Sequence, residues 1–176
     1  MDDSASVIDE LLTEGVKDAV EGEERVGVIF SGGIDSTLVA KKASEFTETK
    51  CYTVGFPGSK DLEYARLAAN ALDLDCHETI LDHETLEDAL RDVARLVNEP
   101  NPLAVGVGVP MHLASKKAAS EGIKVMLCGQ GADELFGGYW RYIQSYVENG
   151  PDSVIDWMVR DVDTADADNL DRDRLV

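Results

Sequence analysis

Positive charge is scarce in this 176-residue chain: 16 Lys and Arg stand against 35 Asp and Glu, for a formal net charge of −19. So acidic a surface excludes general nucleic-acid binding, which needs basic stripes over the phosphate backbone. Long apolar runs are missing too. No window approaches the roughly 20 apolar residues of a membrane span. Met1 to Ser6 is acidic and polar, without the basic-then-apolar character of a secretory signal, so the expected location is the cytoplasm. Cysteine is limited to Cys51, Cys76 and Cys128, an odd number with no Cys-x-x-Cys pair. That argues for reduced, mostly buried thiols rather than disulfides or a zinc site. Two common phosphate-binding signatures are absent as well: no Gly-x-x-x-x-Gly-Lys-Ser/Thr loop and no Gly-x-Gly-x-x-Gly fingerprint.

What is present is a globular composition, 44% hydrophobic, in a length suited to one domain with a sizeable core. The acids are spread over helix faces rather than gathered in a block, which keeps the surface solvated and self-repelling. Such acidity resembles that of proteins from salt-loving organisms.

Strands and helices alternate. Val7, Leu11, Leu12, Val16 and Val20 mark an amphipathic helix over the first 21 residues. Strands are expected at Val26–Phe30, Cys51–Phe56, His77–Leu81 and Ile123–Cys128. Helices are expected at Ser36–Phe46, Asp61–Leu72, Leu86–Val97 (ending before Pro100) and Pro110–Glu121. This order predicts an α/β fold, a three-layer doubly wound parallel sheet of about five strands, with ligands at the carboxyl ends of the strands. Residues 1–150 form the domain. Residues 151–176 read as an acidic tail, a helix near Val154–Val162 followed by loop or disorder.

Ser31-Gly32-Gly33-Ile34-Asp35-Ser36 follows the first strand and opens the next helix. A strand, a glycine turn and a helix N-terminus make an anion site, because free amide N–H groups and the helix dipole face the turn. Adjacent glycines let the backbone approach the anion, and Ser31 and Ser36 add hydroxyl donors. Asp35 conflicts with a phosphate unless a divalent cation lies between them, so the loop predicts Mg²⁺. The plainer alternative is a tight turn with Asp35-Ser36 as a cap. Cys128-Gly129-Gln130-Gly131-Ala132-Asp133-Glu134-Leu135-Phe136-Gly137-Gly138-Tyr139 repeats the mechanics after the last strand. Asp35 and Asp133 at two strand ends could share one Mg²⁺; the alternative is that Asp133-Glu134 complements a helix dipole.

Ser-Gly-Gly-x-Asp-Ser resembles the pyrophosphate loop of the ATP pyrophosphatase superfamily. Together with Tyr52 to Ser59 (Tyr-Thr-Val-Gly-Phe-Pro-Gly-Ser) and the Cys128–Tyr139 segment, residues 25 to 147 resemble the synthetase domain of asparagine synthetases and their relatives, the β-lactam synthetases included. The resemblance implies an adenine nucleotide alpha-hydrolase-like fold and ATP with Mg²⁺ as cofactors. In it, Ser31, Gly32, Gly33, Asp35 and Ser36 hold pyrophosphate, Ile29, Val54, Cys128 and Gly129 cradle adenosine, and Asp35 and Asp133 hold the metal. Gln130 falls where relatives have a glutamate that orders the reacting groups; an amide there hydrogen-bonds but cannot act as a base. Tyr139 matches a cleft tyrosine, with a half-buried helix aromatic as the alternative.

The implied reaction is ATP-dependent, AMP-forming amidation of a carboxylate, aspartate first, with free ammonia or ammonia from a separate glutaminase subunit. A different carboxylate, or nucleotide binding without turnover, is the alternative, and a homo-oligomer is compatible with either. Departures bear on this. Residue 2 is Asp2, and no glutaminase domain with a cysteine nucleophile precedes the loop. Residues 151–176 read as the start of a missing helical half that carries catalytic lysines in the family, so this chain alone is expected to bind nucleotide but make little asparagine. Leu103–Val109 offers no side chain to grip an aspartate carboxylate. His77, His83 and His112 share no metal-ligand spacing, and Lys116-Lys117 suits a solvated helix face better than the cleft.

Overall fold

A run such as Val26–Phe30, apolar on both faces, is stable only in the middle of a sheet covered on both sides, and that is where it lies. The computed structural model describes residues 4–97 and 101–163, with side chains described as far as Asp161. The chain divides into two compact units, Met1–Gly129 and Gln130–Val176.

In the first unit, β1 (Arg25–Ile29) pairs in parallel with β2 (Glu48–Gly55), β2 pairs in parallel with β3 (Asp75–Ile80), and the other edge of β1 takes β4 (Met126–Leu127). The order β3-β2-β1-β4 gives four strands among the described residues, against the expected five or so. The chain lays strands outward from β1 on one side, then crosses back to place β4 on the other. The direction therefore reverses between β1 and β4, and ligands of such sheets sit outside the carboxyl ends of the strands at that reversal.

Strand alternation sorts the side chains onto two faces. Val28, Phe30 and Cys51 are buried against Ala40 of α2 (Ile34–Ser44) and Ala65 and Ala69 of α3 (Lys60–Leu72). Val26 on the same face meets Val16 and Val20 of α1 (Ser4–Val20) and Ala43 of α2. On the opposite face Tyr52 is buried against Ala114 and Ala118 of α5 (Pro102–Ser120). α4 (His83–Val97) backs α5 through Ala89 and Val93 against Val109 and Leu113. Gly27 leaves room in β1 for the Met126 side chain and the Tyr52 ring, since a Cβ there would lie 2.3 Å from the Met126 sulfur.

α5 begins eight residues before the expected start at Pro110. The decisive signal is Asn101, whose side chain accepts from the N–H groups of Leu103 and Ala104, with Pro102 in the first turn. Pro110 lies inside the helix, a position that costs about 3 kcal/mol in isolation. Burial of Val109 and Leu113 offsets it. Gly108 lets the two helices touch, since a Cβ would lie 2.6 Å from Val93 Cγ1. The chain around Pro100 lies outside the described residues.

The second unit is helical: α6 (Ala132–Phe136), α7 (Trp140–Asn149) and α8 (Pro151–Asp163). α6 is held between Gly131 and Gly137, both in the left-handed region at φ 94° and 74°. α8 contains the expected Val154–Val162 helix; the expected irregular end beyond it lies outside the described residues. No helix among the described residues is long and apolar enough to cross a membrane. Cys51 is buried, with its thiol pushed up to about 12 by burial; Cys76 is half-buried, and Cys128, contrary to expectation, is exposed.

Candidate functional site

Two glycine turns meet at the carboxyl ends of β1 and β4. In the first, Gly32 has φ 74°, and a Cβ there would lie 2.5 Å from the carbonyl carbon and oxygen of Tyr64. Only glycine combines that conformation with that approach to the α3 backbone. Gly33 caps α2 without any side-chain hydrogen bond. The first amides of α2 therefore have no capping oxygen from that residue. Asp35, partly buried, stands in the first turn of α2, and Lys41 and Lys42 in its last.

The two serines are brought together. Ser31 Oγ and Ser36 Oγ are 3.2 Å apart, Ser31 N–H donates to Ser36 Oγ (3.3 Å), and Gly33 N–H donates to Ser31 Oγ (3.2 Å). Ser36 O–H donates to the Gly33 carbonyl (3.2 Å). The six residues Ser31–Ser36 are thereby wound into one donor-rich turn.

The second turn presses on the first. A Cβ on Gly129 would lie 2.9 Å from both Asp35 Cβ and Ser36 N. The backbone after β4 thus rests on the N-terminus of α2, and this contact assembles the site. Ile29 and Val54 lie on the α5 side of the sheet, both packed on the Tyr52 cluster. Of the residues singled out from sequence, Ile29, Ser31, Gly32, Gly33, Asp35, Ser36, Val54, Cys128 and Gly129 belong to this unit. The donor set suits an anion: backbone N–H groups and hydroxyls, with one carboxylate that a divalent cation would bridge. Mg²⁺ commonly binds through one or two carboxylates plus phosphate oxygens. No group of three or more His, Cys, Asp or Glu side chains is gathered for a metal among the described residues, so any cation here needs oxygens from its ligand.

Gln130, Asp133 and Tyr139 lie in the second unit. The Asp133 carbonyl accepts from Gly137 N–H (2.9 Å) and Gly138 N–H (3.0 Å). Its side chain lies where a Cβ on Gly138 would go. Tyr139 O–H donates to Glu134 Oε1 (2.8 Å), and the Arg141 guanidinium lies 4.1 Å over the Tyr139 ring. Tyr139 caps α7 rather than sitting within it.

Sequence reasoning missed two polar networks. Arg141 pairs with buried Asp161 (2.6 Å), which also accepts from the Tyr142 hydroxyl. Burial and Asp161 push the Tyr142 hydroxyl up to about 12. In the first unit Glu121 accepts from Tyr52 O–H (2.9 Å), lies 3.1 Å from His77 Nδ1 and pairs with Lys117 (2.9 Å). The Lys117 hydrogen bond, with Tyr52 and His77, holds the Glu121 carboxyl down to about 2. Lys117 is thus committed to Glu121 and is not a cleft cation. Arg141 had a local hint in the tyrosines on either side of it; Glu121 and Tyr52, far apart in sequence, had none. A cavity of about 280 Å³ between α4 and α5 is lined by Glu84, Asp88 and Asp92 with His112 and Lys116. Its acidic lining repels phosphate, so the glycine turns remain the better anion site.

The model of the asparagine synthase family matches residues 7–173. A putative glutamine-hydrolyzing asparagine synthetase of Methanocaldococcus jannaschii is 40% identical over 172 residues, 98% of this chain and 32% of the relative. The glutamine-hydrolyzing asparagine synthetase B of Escherichia coli is 32% identical over 143 residues, 73% of this chain and 26% of that protein. The chain spans about a third of the length of these relatives or less. In three dimensions it is similar to the NH3-dependent NAD synthetase of Campylobacter jejuni, with a TM-score of 0.54 over 79% of this chain and 61% of the other. At 21% identity that likeness speaks for the fold alone. The family match spans both the serine turn after β1 and the glycine turn after β4, and this chain belongs to the asparagine synthase family.

Proposed function

We propose that the chain is the nucleotide-binding part of an ATP-dependent, AMP-forming ligase that amidates a carboxylate, with aspartate the first candidate and ammonia, free or delivered by a glutaminase, as nitrogen donor. The observation that carries this reading is the seat of Gly129 on Asp35 and Ser36, which joins two phosphate-compatible turns at the reversal point of the sheet.

In this reading Ser31, Ser36 and the amides from Gly33 onward hold the β- and γ-phosphates, and Gly32 keeps that space free of side chain. Ile29, Val54, Cys128 and Gly129 flank the adenosine. Asp35, with Asp133 as the candidate second carboxylate, would hold Mg²⁺, and the cation would supply charge neutralisation for a pyrophosphate leaving group. The carboxylate substrate attacks the α-phosphorus, pyrophosphate departs, and ammonia then displaces AMP. The fixed amide dipoles at α2 stabilise the leaving group without reorganising. Gln130 orders the reacting groups through its amide, and Tyr139 lines the cleft.

Nucleotide binding without turnover by this chain alone is a second reading. It is favoured by the commitment of Lys42 to Asp9, Arg66 to Glu78, Lys117 to Glu121 and Arg141 to Asp161. Calorimetry with Mg-ATP, followed by assay of AMP and pyrophosphate with aspartate and ammonia, separates the two. Asp35→Ala should weaken Mg²⁺-dependent ATP binding more than Mg²⁺-free binding. Equal affinity of variant and parent for Mg-ATP would sink the assignment, and aspartate-dependent AMP formation would favour the ligase over the binding module.

A further inference from the structure

Phe56 is 45% exposed and joins none of the hydrophobic clusters of the first unit. A single exposed aromatic is ordinary; the way this one is held is not. Ser59 N–H donates to the Phe56 carbonyl (3.0 Å), Pro57 follows, and Gly58 has φ 76°. These are the features of a hydrogen-bonded type II turn, with Pro at the second position and Gly at the third. Ser59 then caps α3 through Leu62 N–H. On the other side Gly55 is pinned: its carbonyl accepts from Leu81 N–H (2.9 Å), and a Cβ on it would lie 2.7 Å from Ser59 Oγ. The backbone on both sides of Phe56 is fixed, while nearly half of the residue remains exposed.

The register places that ring. Ile29, the last residue of β1, is level with Tyr52, so β2 runs three residues further to Gly55. Phe56 stands four residues beyond that pair, roughly 13 Å at strand rise, and one strand over from the Ser31 turn. Tyr52 and Val54 line the α5 side with Ile29, and Phe56 directly follows Gly55, the last residue of β2, two positions beyond Val54. An apolar row thus leads from Ile29 and Val54 to an exposed aromatic at the carboxyl end of the sheet.

We infer that Phe56 is a base-stacking residue: its ring covers the nucleobase of the nucleotide whose phosphates lie on the Ser31 turn. The inference rests on the nucleotide-binding reading and extends it to a residue outside the glycine turns. A ring held by a rigid turn loses little conformational freedom on binding, and stacking recruits the π-face that every base offers. Phe56 therefore adds affinity for nucleosides without choosing among bases.

The test is calorimetry in Mg²⁺ on the whole chain with ATP, GTP and inorganic tripolyphosphate, for the parent, Phe56→Ala and Phe56→Trp. Phe56→Ala should weaken ATP and GTP alike, roughly 5- to 150-fold in Kd, the range that base–aromatic stacking carries. Tripolyphosphate binding should not change, and Phe56→Trp should bind nucleotide at least as well as the parent. ATP affinity unchanged in Phe56→Ala overturns the assignment. So does an equal loss for ATP and tripolyphosphate, because the substitution would then act through the turn. A parent that binds tripolyphosphate but no nucleotide overturns the nucleotide reading itself, and Phe56 with it.

Discussion

Buried apolar residues run from Val16 to Ile123 through the first unit, whereas Tyr142 is the one buried hydrophobic among the described residues of the second. α7 and α8 instead turn large apolar side chains outward, Trp140 at 68% exposure and Val147 at 77%. What they bury is polar: Ser145 and Asp161 join Tyr142 inside. The first unit is held by area removed from water, in four clusters around a sheet. The second is held by the Arg141–Asp161–Tyr142 network and by Ser153 O–H donating to the carbonyls of Ser145 and Gly150. A fragment this small rarely supplies its own core. Removal of single groups should therefore act differently in the two.

The largest effect is expected from Asp161→Ala. Leaving the partly buried Arg141 guanidinium and the buried Tyr142 hydroxyl without their shared acceptor costs up to about 3 kcal/mol, enough to open a unit with one buried apolar side chain. Hydrogen exchange should show amides of α7 and α8 losing protection while those of β1 and β2 keep it. Leu62→Ala, a deletion of about 2–5 kcal/mol in the first core, should instead lower protection across the sheet. Uniform loss in Asp161→Ala would mean that the two units open as one, and the contrast would fall.

A smaller effect asks whether the second unit takes part in nucleotide binding. If Asp35 and Asp133 hold one cation, either substitution by alanine should cost at least the 10- to 100-fold in affinity that outer metal partners carry. The double variant should then cost much less than the sum. Additive losses in calorimetry would put Asp133 outside the metal site and leave binding to the first unit.

The smallest effect belongs to Glu121. Its carboxyl titrates near 2 in the fold, below its ordinary value of 4.5. Its contribution is therefore complete above about pH 4.5 and is lost as the pH falls toward 2. Glu121→Gln should remove of order 1 kcal/mol or less at neutral pH and flatten the acid limb of first-unit stability. An acid limb of the same slope in Glu121→Gln would assign that limb to other carboxylates.

The contrast between units also explains what could be read in the chain beforehand. The Ser31 turn was legible because an apolar run, two glycines and a helical period follow each other within about twenty residues. The Cys128–Tyr139 segment shares the strand, glycine and helix order, though its helix is only the short α6 from Ala132 to Phe136. The start of α5 was not, because Gly106, Gly108 and Pro110 argue locally against a helix that tertiary burial of Val109 and Leu113 sustains. The brevity of β4 was hidden too: Ile123–Cys128 is apolar but for Lys124, yet β4 covers Met126 and Leu127 alone. The Glu121 network joins β2, β3 and the end of α5, and no local pattern announces a partnership over such a separation.

The parallel pairing of Gly27 with Met126 joins residues about a hundred positions apart, and contacts so distant in sequence are slow to form because the loop between them must close first. The serine turn belongs to the first strand–helix pair made, yet Gly129, which seats against it, belongs to the last strand. Nucleotide affinity should consequently mature late in refolding. A chain refolding from urea should regain its helical signal before it captures a fluorescent ATP analogue, which makes that capture a clock for the final crossover of the sheet.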